Sequence, residues 1–243
     1  MTLAEEQMLI YGLQKLSLLD YPGMLAATVF TGGCNLRCPF CHNASLVTRF
    51  SENQRISEEE VLSFLERRRG LLDGVCITGG EPLMQEDLAD FIIKIREMGF
   101  LIKLDTNGTL PEKLDSLIRR SLVDYVAMDI KNSFEKYPLT VGITDFDPKP
   151  VFESAELLMR VAIPYEFRTT LVRAYHTDED IEKIGKAIAG AKNYFLQNFE
   201  DSGDLVGFGN ASDSVPLSGF SVLELEHFRD ILAHFAENVG IRN

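Results

Sequence analysis

Short β-branched apolar runs alternate with amphipathic helical stretches along this 243-residue chain, and that alternation restricts its fold more than any other feature. The runs LAATVF (25–30), GVCIT (74–78), LIKLDT (101–106), DYVAMDI (124–130), YEFRTTLV (165–172) and NYFLQNF (193–199) read as strands. Between them, SEEEVLSFLERRR opens with Ser57 and Glu60 at capping-box spacing, and QEDLADFIIKIREM is closed by Gly99. Further helices are predicted around 111–121, 152–160 and 177–188, with a last one from Ser221. About six strand–helix units without a break in composition predict one α/β domain over 1–243, with 1–24 as an extension before the first strand. A parallel strand pair needs a crossover connection, so the sheet should be parallel, as an open doubly wound sheet or as a barrel. In either case ligands gather at the C-terminal ends of the strands.

A doubly wound dinucleotide site would carry a glycine-rich fingerprint after the first strand, and none stands there. The nearest match, Gly207-x-Gly209-x-x-Ser212, lies in the stretch EDSGDLVGFGNASDSVPLSG. That stretch, about 200–220, reads as a flexible connection. The strand ends carry the distinctive segments instead: TGGC after the first, TGGEP after the second, DTNG after the third and MDIK after the fourth.

The segment TGGCNLRCPFCHN places Cys34, Cys38 and Cys41 within eight positions and supplies no fourth cysteine nearby. A structural zinc site takes four protein ligands, and a disulfide takes two. Pro39 disfavours a helix through this segment, and Gly32 and Gly33 favour an irregular loop that can curl three sulfurs around one object. A cubane iron–sulfur cluster held by three thiolates, with one iron open, suits that loop. A Cys3His zinc site using His42 is the other reading, though His42 adjoins Cys41 and adjacent side chains rarely face one ion. Cys76, mid-strand among apolar neighbours, reads as core. His176, just before a helix, reads as a cap or surface residue.

Charge and cysteine usage narrow the function class. The net charge of −13, from 24 basic against 37 acidic residues, argues against nucleic acid or an anionic membrane as the main partner. The longest basic cluster, ERRRG at 66–70, reads as a solvated helix end. The acidic start MTLAEEQ and the lack of a long apolar run predict a cytoplasmic protein. Three clustered cysteines out of four suit a metal centre in a reducing compartment.

The spacing Cys-x3-Cys-x2-Cys, with an aromatic before the last cysteine, resembles the cluster loop of the radical S-adenosylmethionine (SAM) superfamily. TGGEP (Thr78, Gly79, Gly80, Glu81, Pro82) resembles the stretch that lines the SAM amino group, where glycine permits close approach of backbone to ligand. Across nearly the whole chain the resemblance is to the glycyl-radical-enzyme activating enzymes. LDYPG, containing Asp20, is similar to their Asp-Gly-Pro-Gly segment, with Tyr21 in place of glycine. CPFCHN, with Phe40, His42 and Asn43, resembles their Cys-x-Tyr-Cys-His-Asn. LDTNG, MDIK, VGI (141–143) and FRTTLV resemble further segments of that family.

The resemblance implies a partial (β/α)6 TIM-type barrel, the radical SAM fold, with a [4Fe-4S] cluster on Cys34, Cys38 and Cys41. It implies a SAM site drawing on Phe40, His42, Asn43, Thr78–Glu81, Asp105, Asn107, Asp129, Lys131 and Arg168. Phe199 stands where the family often has a histidine near adenine. A monovalent cation beside the SAM carboxylate would be held by Asp105, Thr106 and Asp129, and Lys131 would face that carboxylate. The implied chemistry is reductive cleavage of SAM to methionine and a 5′-deoxyadenosyl radical, which takes hydrogen from one glycine of a partner enzyme. Asp20 would meet the partner's glycine loop. SLLDYPG and ENVGIRN look most like the activating proteins of anaerobic ribonucleotide reductase, the expected partner, with reduced flavodoxin or ferredoxin as electron donor. Pyruvate formate-lyase is the alternative partner, and a small-molecule or peptide substrate keeps the same radical chemistry. A zinc-stabilised adaptor is the non-enzyme alternative.

Overall fold

A computed structural model of the chain describes residues 8–49, 51, 54–201, 203, 205–207 and 216–242. In chain order the elements are β1 (Ile10–Ser17), β2 (Ala26–Thr31), α1 (Ala44–Val47), α2 (Glu58–Glu66), β3 (Gly74–Gly79), α3 (Leu88–Glu97), β4 (Leu101–Thr106) and α4 (Pro111–Arg119). They continue with β5 (Tyr125–Asp129), α5 (Tyr137–Val141), α6 (Lys149–Arg160), β6 (Tyr165–Leu171), α7 (Asp178–Ala187), β7 (Ala191–Asn198), α8 (Val222–Leu232) and β8 (Ala236–Arg242). The six expected strands are β2 to β7. Two more frame them: β1 lies inside the expected extension at 1–24, and β8 is formed by the ENVGIR stretch.

The chain groups into two compact units. The first comprises Met1–Asn35, Ser45–Thr106 and Glu112–Val126, and the second Leu36–Ala44, Asn107–Pro111 and Ala127–Asn243. In the first, β1 runs antiparallel to β2, and β2, β3 and β4 run parallel in register, with Thr28 beside Cys76 and Cys76 beside Lys103. In the second, β6, β7 and β8 run parallel, and Ile130 beyond β5 donates its N–H to the Arg168 carbonyl on β6 at 2.8 Å.

The helices form where caps and apolar periodicity agree. Ser57 accepts from the Glu60 N–H at the start of α2, whose Glu58, Glu59 and Glu60 suit the positive end of the helix dipole. Leu88, Phe91, Ile92 and Ile95 make one buried stripe of α3. Full capping boxes start α7 (Thr177 with Asp180) and α8 (Ser221 with Glu224). β3 is buried from Gly74 to Ile77, as expected of a parallel strand covered on both faces. The expected flexible connection at 200–220, with Gly209 and Ser212, lies largely outside the described residues.

Candidate functional site

In the first unit, the ends of β2 and β3 lock together through their glycine pairs. Thr31 Oγ1 donates to the Thr78 carbonyl at 3.0 Å, the Gly80 N–H donates to the Thr31 carbonyl at 2.8 Å, and the Glu81 N–H donates to the Gly33 carbonyl at 2.8 Å. A Cβ on Gly80 would stand 1.9 Å from the Gly33 carbonyl oxygen, and one on Gly79 would stand 2.5 Å from the Thr31 backbone, at a φ of +112°. Close approach of two chain segments therefore demands these glycines, whatever ligand they also face.

Glu81 is fully buried, and its Oε1 accepts from the Leu83 N–H and from Thr106 Oγ1 at 2.8 Å. Gln85, which the sequence did not single out, ties the start of the cysteine loop to β1. Its Nε2 donates to the Gly32 carbonyl at 2.9 Å, and its Oε1 accepts from the Leu9 N–H at 3.0 Å. Cys34 follows Gly33 in this unit and is half-buried.

Asp105, at the end of β4, is paired with the ammonium of buried Lys103, while Thr78 Oγ1 donates to its other oxygen at 3.4 Å. Cys76 is not in a purely apolar setting: its Sγ lies 3.7 Å from Asp105 Oδ1 and 3.7 Å from Lys103 Nζ. The chain pattern missed this because both neighbours belong to β4, one strand across. Asp20, in the β1–β2 turn, accepts from Thr28 Oγ1 at 2.6 Å and is half-buried.

In the second unit, Cys38 is buried and Cys41 half-buried, with the Cys41 N–H donating to the Cys38 carbonyl at 3.0 Å. The loop is held from two sides. The Arg37 N–H donates to the Val141 carbonyl at 3.0 Å, and Gly142, at a φ of +71°, lets the VGI segment pass against Arg37. From residues 205–207, Val206 and Gly207 donate backbone N–H groups to the Cys41 and Pro39 carbonyls. Phe40 is buried against Tyr175, with ring centroids 5.7 Å apart, and His42 meets Phe199 edge-on at 5.4 Å. That contact turns the imidazole of His42 toward an aromatic ring. Asn43 is half-buried just before α1.

Asp129 ends β5 between two cations: Arg168 Nε donates to Oδ1 at 2.9 Å, and Lys131 Nζ donates to Oδ2 at 2.8 Å. Burial alone would raise the Asp129 pKa, but Arg168 and Lys131 outweigh it and hold the carboxyl well below the usual range. Burial also works against the Lys131 charge, yet Asp129 and then the neighbouring Cys38 thiol raise its pKa. The Lys131 backbone is pinned as well: its N–H donates to Tyr137 Oη at 3.1 Å, and its carbonyl faces His176 Nε2 at 2.9 Å. The Val172 N–H donates to His176 Nδ1 at 3.0 Å, and the Val172 carbonyl lies 3.1 Å from the same nitrogen. His176 is thus a buried bridge between β6 and Lys131, not the expected cap or surface residue; α7 is capped by Thr177 instead. Asn107 accepts from both the N–H and the hydroxyl of Thr109, closing its own turn.

Soft thiolate donors suit iron–sulfur chemistry, and within the second unit the Lys131 ammonium offsets the charge of Cys38 and Cys41 as thiolates. Among the described residues, no three His, Cys, Asp or Glu side chains are gathered as a site for one metal ion. A cubane differs in taking one thiolate per iron. Nor, among the described residues, is any helix long and apolar enough to cross a membrane.

Comparison with known proteins agrees with this chemistry. The radical SAM superfamily pattern matches residues 28–188. A protein of Methanocaldococcus jannaschii named as a glycyl-radical enzyme activating enzyme is 35% identical over 196 residues, covering 79% of this chain and 80% of its own. The pyruvate formate-lyase-activating enzyme of Listeria monocytogenes is 28% identical over 197 residues, covering 76% of this chain and 77% of its own. Among solved structures, Streptococcus suis SuiB bound to S-adenosylmethionine matches with a TM-score of 0.64 at 14% identity, a likeness of fold that covers 87% of this chain and 48% of SuiB. With a superfamily match over most of its length and a relative aligned over four-fifths of both chains, the protein belongs to the radical SAM superfamily and, within it, to the glycyl-radical enzyme activating enzymes, oxidoreductases whose membership implies a [4Fe-4S] cluster and SAM.

Proposed function

We propose that this chain installs the glycyl radical of anaerobic ribonucleoside-triphosphate reductase, drawing its electron from a reduced flavodoxin or ferredoxin. The observation that carries the activase reading is the three-cysteine loop after β2 in a chain aligned over 79% of its length with a relative named for glycyl-radical activation. The choice of ribonucleotide reductase rests on the likeness of SLLDYPG and ENVGIRN to that subgroup. An external donor suits a chain whose one cysteine outside the loop, Cys76, is buried beside Lys103 and Asp105.

In this reading Cys34, Cys38 and Cys41 hold the cluster. When bound, the cluster supplies the electron that splits SAM into methionine and a 5′-deoxyadenosyl radical. Thr78 to Glu81 bind the SAM amino group at the end of β3. Lys131 and Arg168 present positive charge to its carboxylate, and Asp129 holds both side chains in place. Phe199 and His42 offer an aromatic wall to the adenine, with Phe40 packed behind the cysteine loop. Asn43 and Asn107 shape the loops that carry these groups. Asp20, anchored on Thr28, meets the partner's glycine loop. The expected monovalent cation does not fit the donor set. Asp105 already carries Lys103, and Asp129 carries Lys131 and Arg168.

The test is anaerobic reconstitution with iron and sulfide, reduction, and addition of SAM with the reductase. The expected result is 5′-deoxyadenosine together with a glycyl radical signal on the reductase, both lost in Cys38→Ala. A radical formed on pyruvate formate-lyase and not on the reductase would overturn the partner. Zinc uptake without SAM cleavage would overturn the chemistry.

A further inference from the structure

Strand register builds a row of polar side chains inside the first unit. Thr28, Cys76 and Lys103 are lateral neighbours on β2, β3 and β4, and alternation along each strand puts Thr78 and Asp105 on that same face, two residues on. Lys103 is 2% exposed, so its ammonium has lost nearly all contact with water and needs an anion. Asp105 is that anion. Oδ1 receives the Lys103 ammonium and the Cys76 thiol, and Oδ2 receives the Thr78 hydroxyl. Thr106, next along, already donates its hydroxyl to buried Glu81. A second cation at Asp105 would meet the repulsion of the lysine, and repulsion between like charges grows as water is excluded.

We propose that Lys103 is a built-in replacement for an alkali cation: its ammonium supplies the positive charge at Asp105 from within the fold, so the chain binds SAM without Na⁺ or K⁺. This rests on the reading above that SAM is bound at the end of β3, where the Thr78 hydroxyl donates to Asp105. Lys103 acts as a positioning residue, through Asp105 and Thr78. Its signal in the sequence is a lysine two residues before the aspartate of DTNG, a spacing that in a strand places both on one face.

The experiment measures the SAM dissociation constant and 5′-deoxyadenosine formation of the cluster-loaded protein in chlorides of potassium, sodium and tetramethylammonium at equal ionic strength. For the wild type the dissociation constant is expected to vary by less than about twofold among the salts, because no cation binding is linked to SAM binding. Lys103→Met is expected to bind SAM more weakly in tetramethylammonium, with potassium or sodium restoring affinity by about fivefold or more. A wild-type affinity that rises about fivefold with potassium or sodium overturns the proposal even if the variant does not fold. A folded Lys103→Met that answers to neither ion overturns it too. Failure of SAM to bind or to be cleaved in every salt is a different result, and it removes the activase chemistry itself.

Discussion

Replacing Gly80 by alanine tests whether the TGGEP segment is demanded by the fold before any ligand binds. The added Cβ would stand 1.9 Å from the Gly33 carbonyl oxygen, where real Cβ contacts are no shorter than 3.0 Å, so one of two backbone segments must move by more than 1 Å. That movement strains or breaks the bonds from Gly80 N–H to Thr31 and from Glu81 N–H to Gly33, both 2.8 Å long. Overpacking at about 1–3 kcal/mol and two weakened hydrogen bonds at about 1 kcal/mol each sum to about 3–5 kcal/mol. For a chain of this size such a loss lowers Tm by about 6–20 °C. Gly99→Ala is the comparison: its φ of +94° is left-handed where that of Gly80 is not, yet nothing lies within 4 Å of the new Cβ. It should cost only the backbone strain, about 1–2 kcal/mol. Thermal unfolding of the two variants without cluster or SAM separates the cases. A Gly80→Ala protein melting no lower than Gly99→Ala would refute the interlock and leave the glycines to the ligand alone.

Gln85→Ala removes both bonds that tie Gly32 and Leu9 together, and should destabilise by about 1–3 kcal/mol while lowering iron retention, read by urea unfolding and iron assay. His176 gives a pH prediction. Burial, its largest influence, lowers its pKa in the fold, so below about pH 6.5 the unfolded chain takes up the proton first. Its contribution to stability is therefore intact above that pH and is lost as the pH falls from there through the lowered folded value. Urea unfolding at pH 7.5 and at pH 5.5 should show a smaller acid loss in His176→Gln than in the wild type; equal losses would contradict the lowering of the His176 pKa by burial.

Much of the candidate site was legible because its signals are local. Pro39 and the Gly32–Gly33 pair announce an irregular loop, and the thiol spacing is a property of that loop alone. The six central strands and their helices were legible from apolar runs and from caps such as Ser221 with Glu224, where the partners lie within one turn. The edge strands were not. In β1, Gln14, Lys15 and Leu16 are exposed in succession, and in β8 Glu237 and Asn238 are, so neither shows the buried alternation by which a strand is recognised. His176 was misjudged for a related reason: its two partners, Lys131 and Val172, become neighbours only once β5 lies beside β6.

The sequence by itself therefore determined the parallel α/β class, the cysteine loop and the order of chemical segments at successive strand ends, since each is written within a few consecutive residues. Only the tertiary structure decided which charges meet: Lys103 with Asp105 beside Cys76, and Asp129 between Lys131 and Arg168. Periodicity along a strand says which face a side chain takes, but lateral register, set by pairing between distant segments, says what stands next to it.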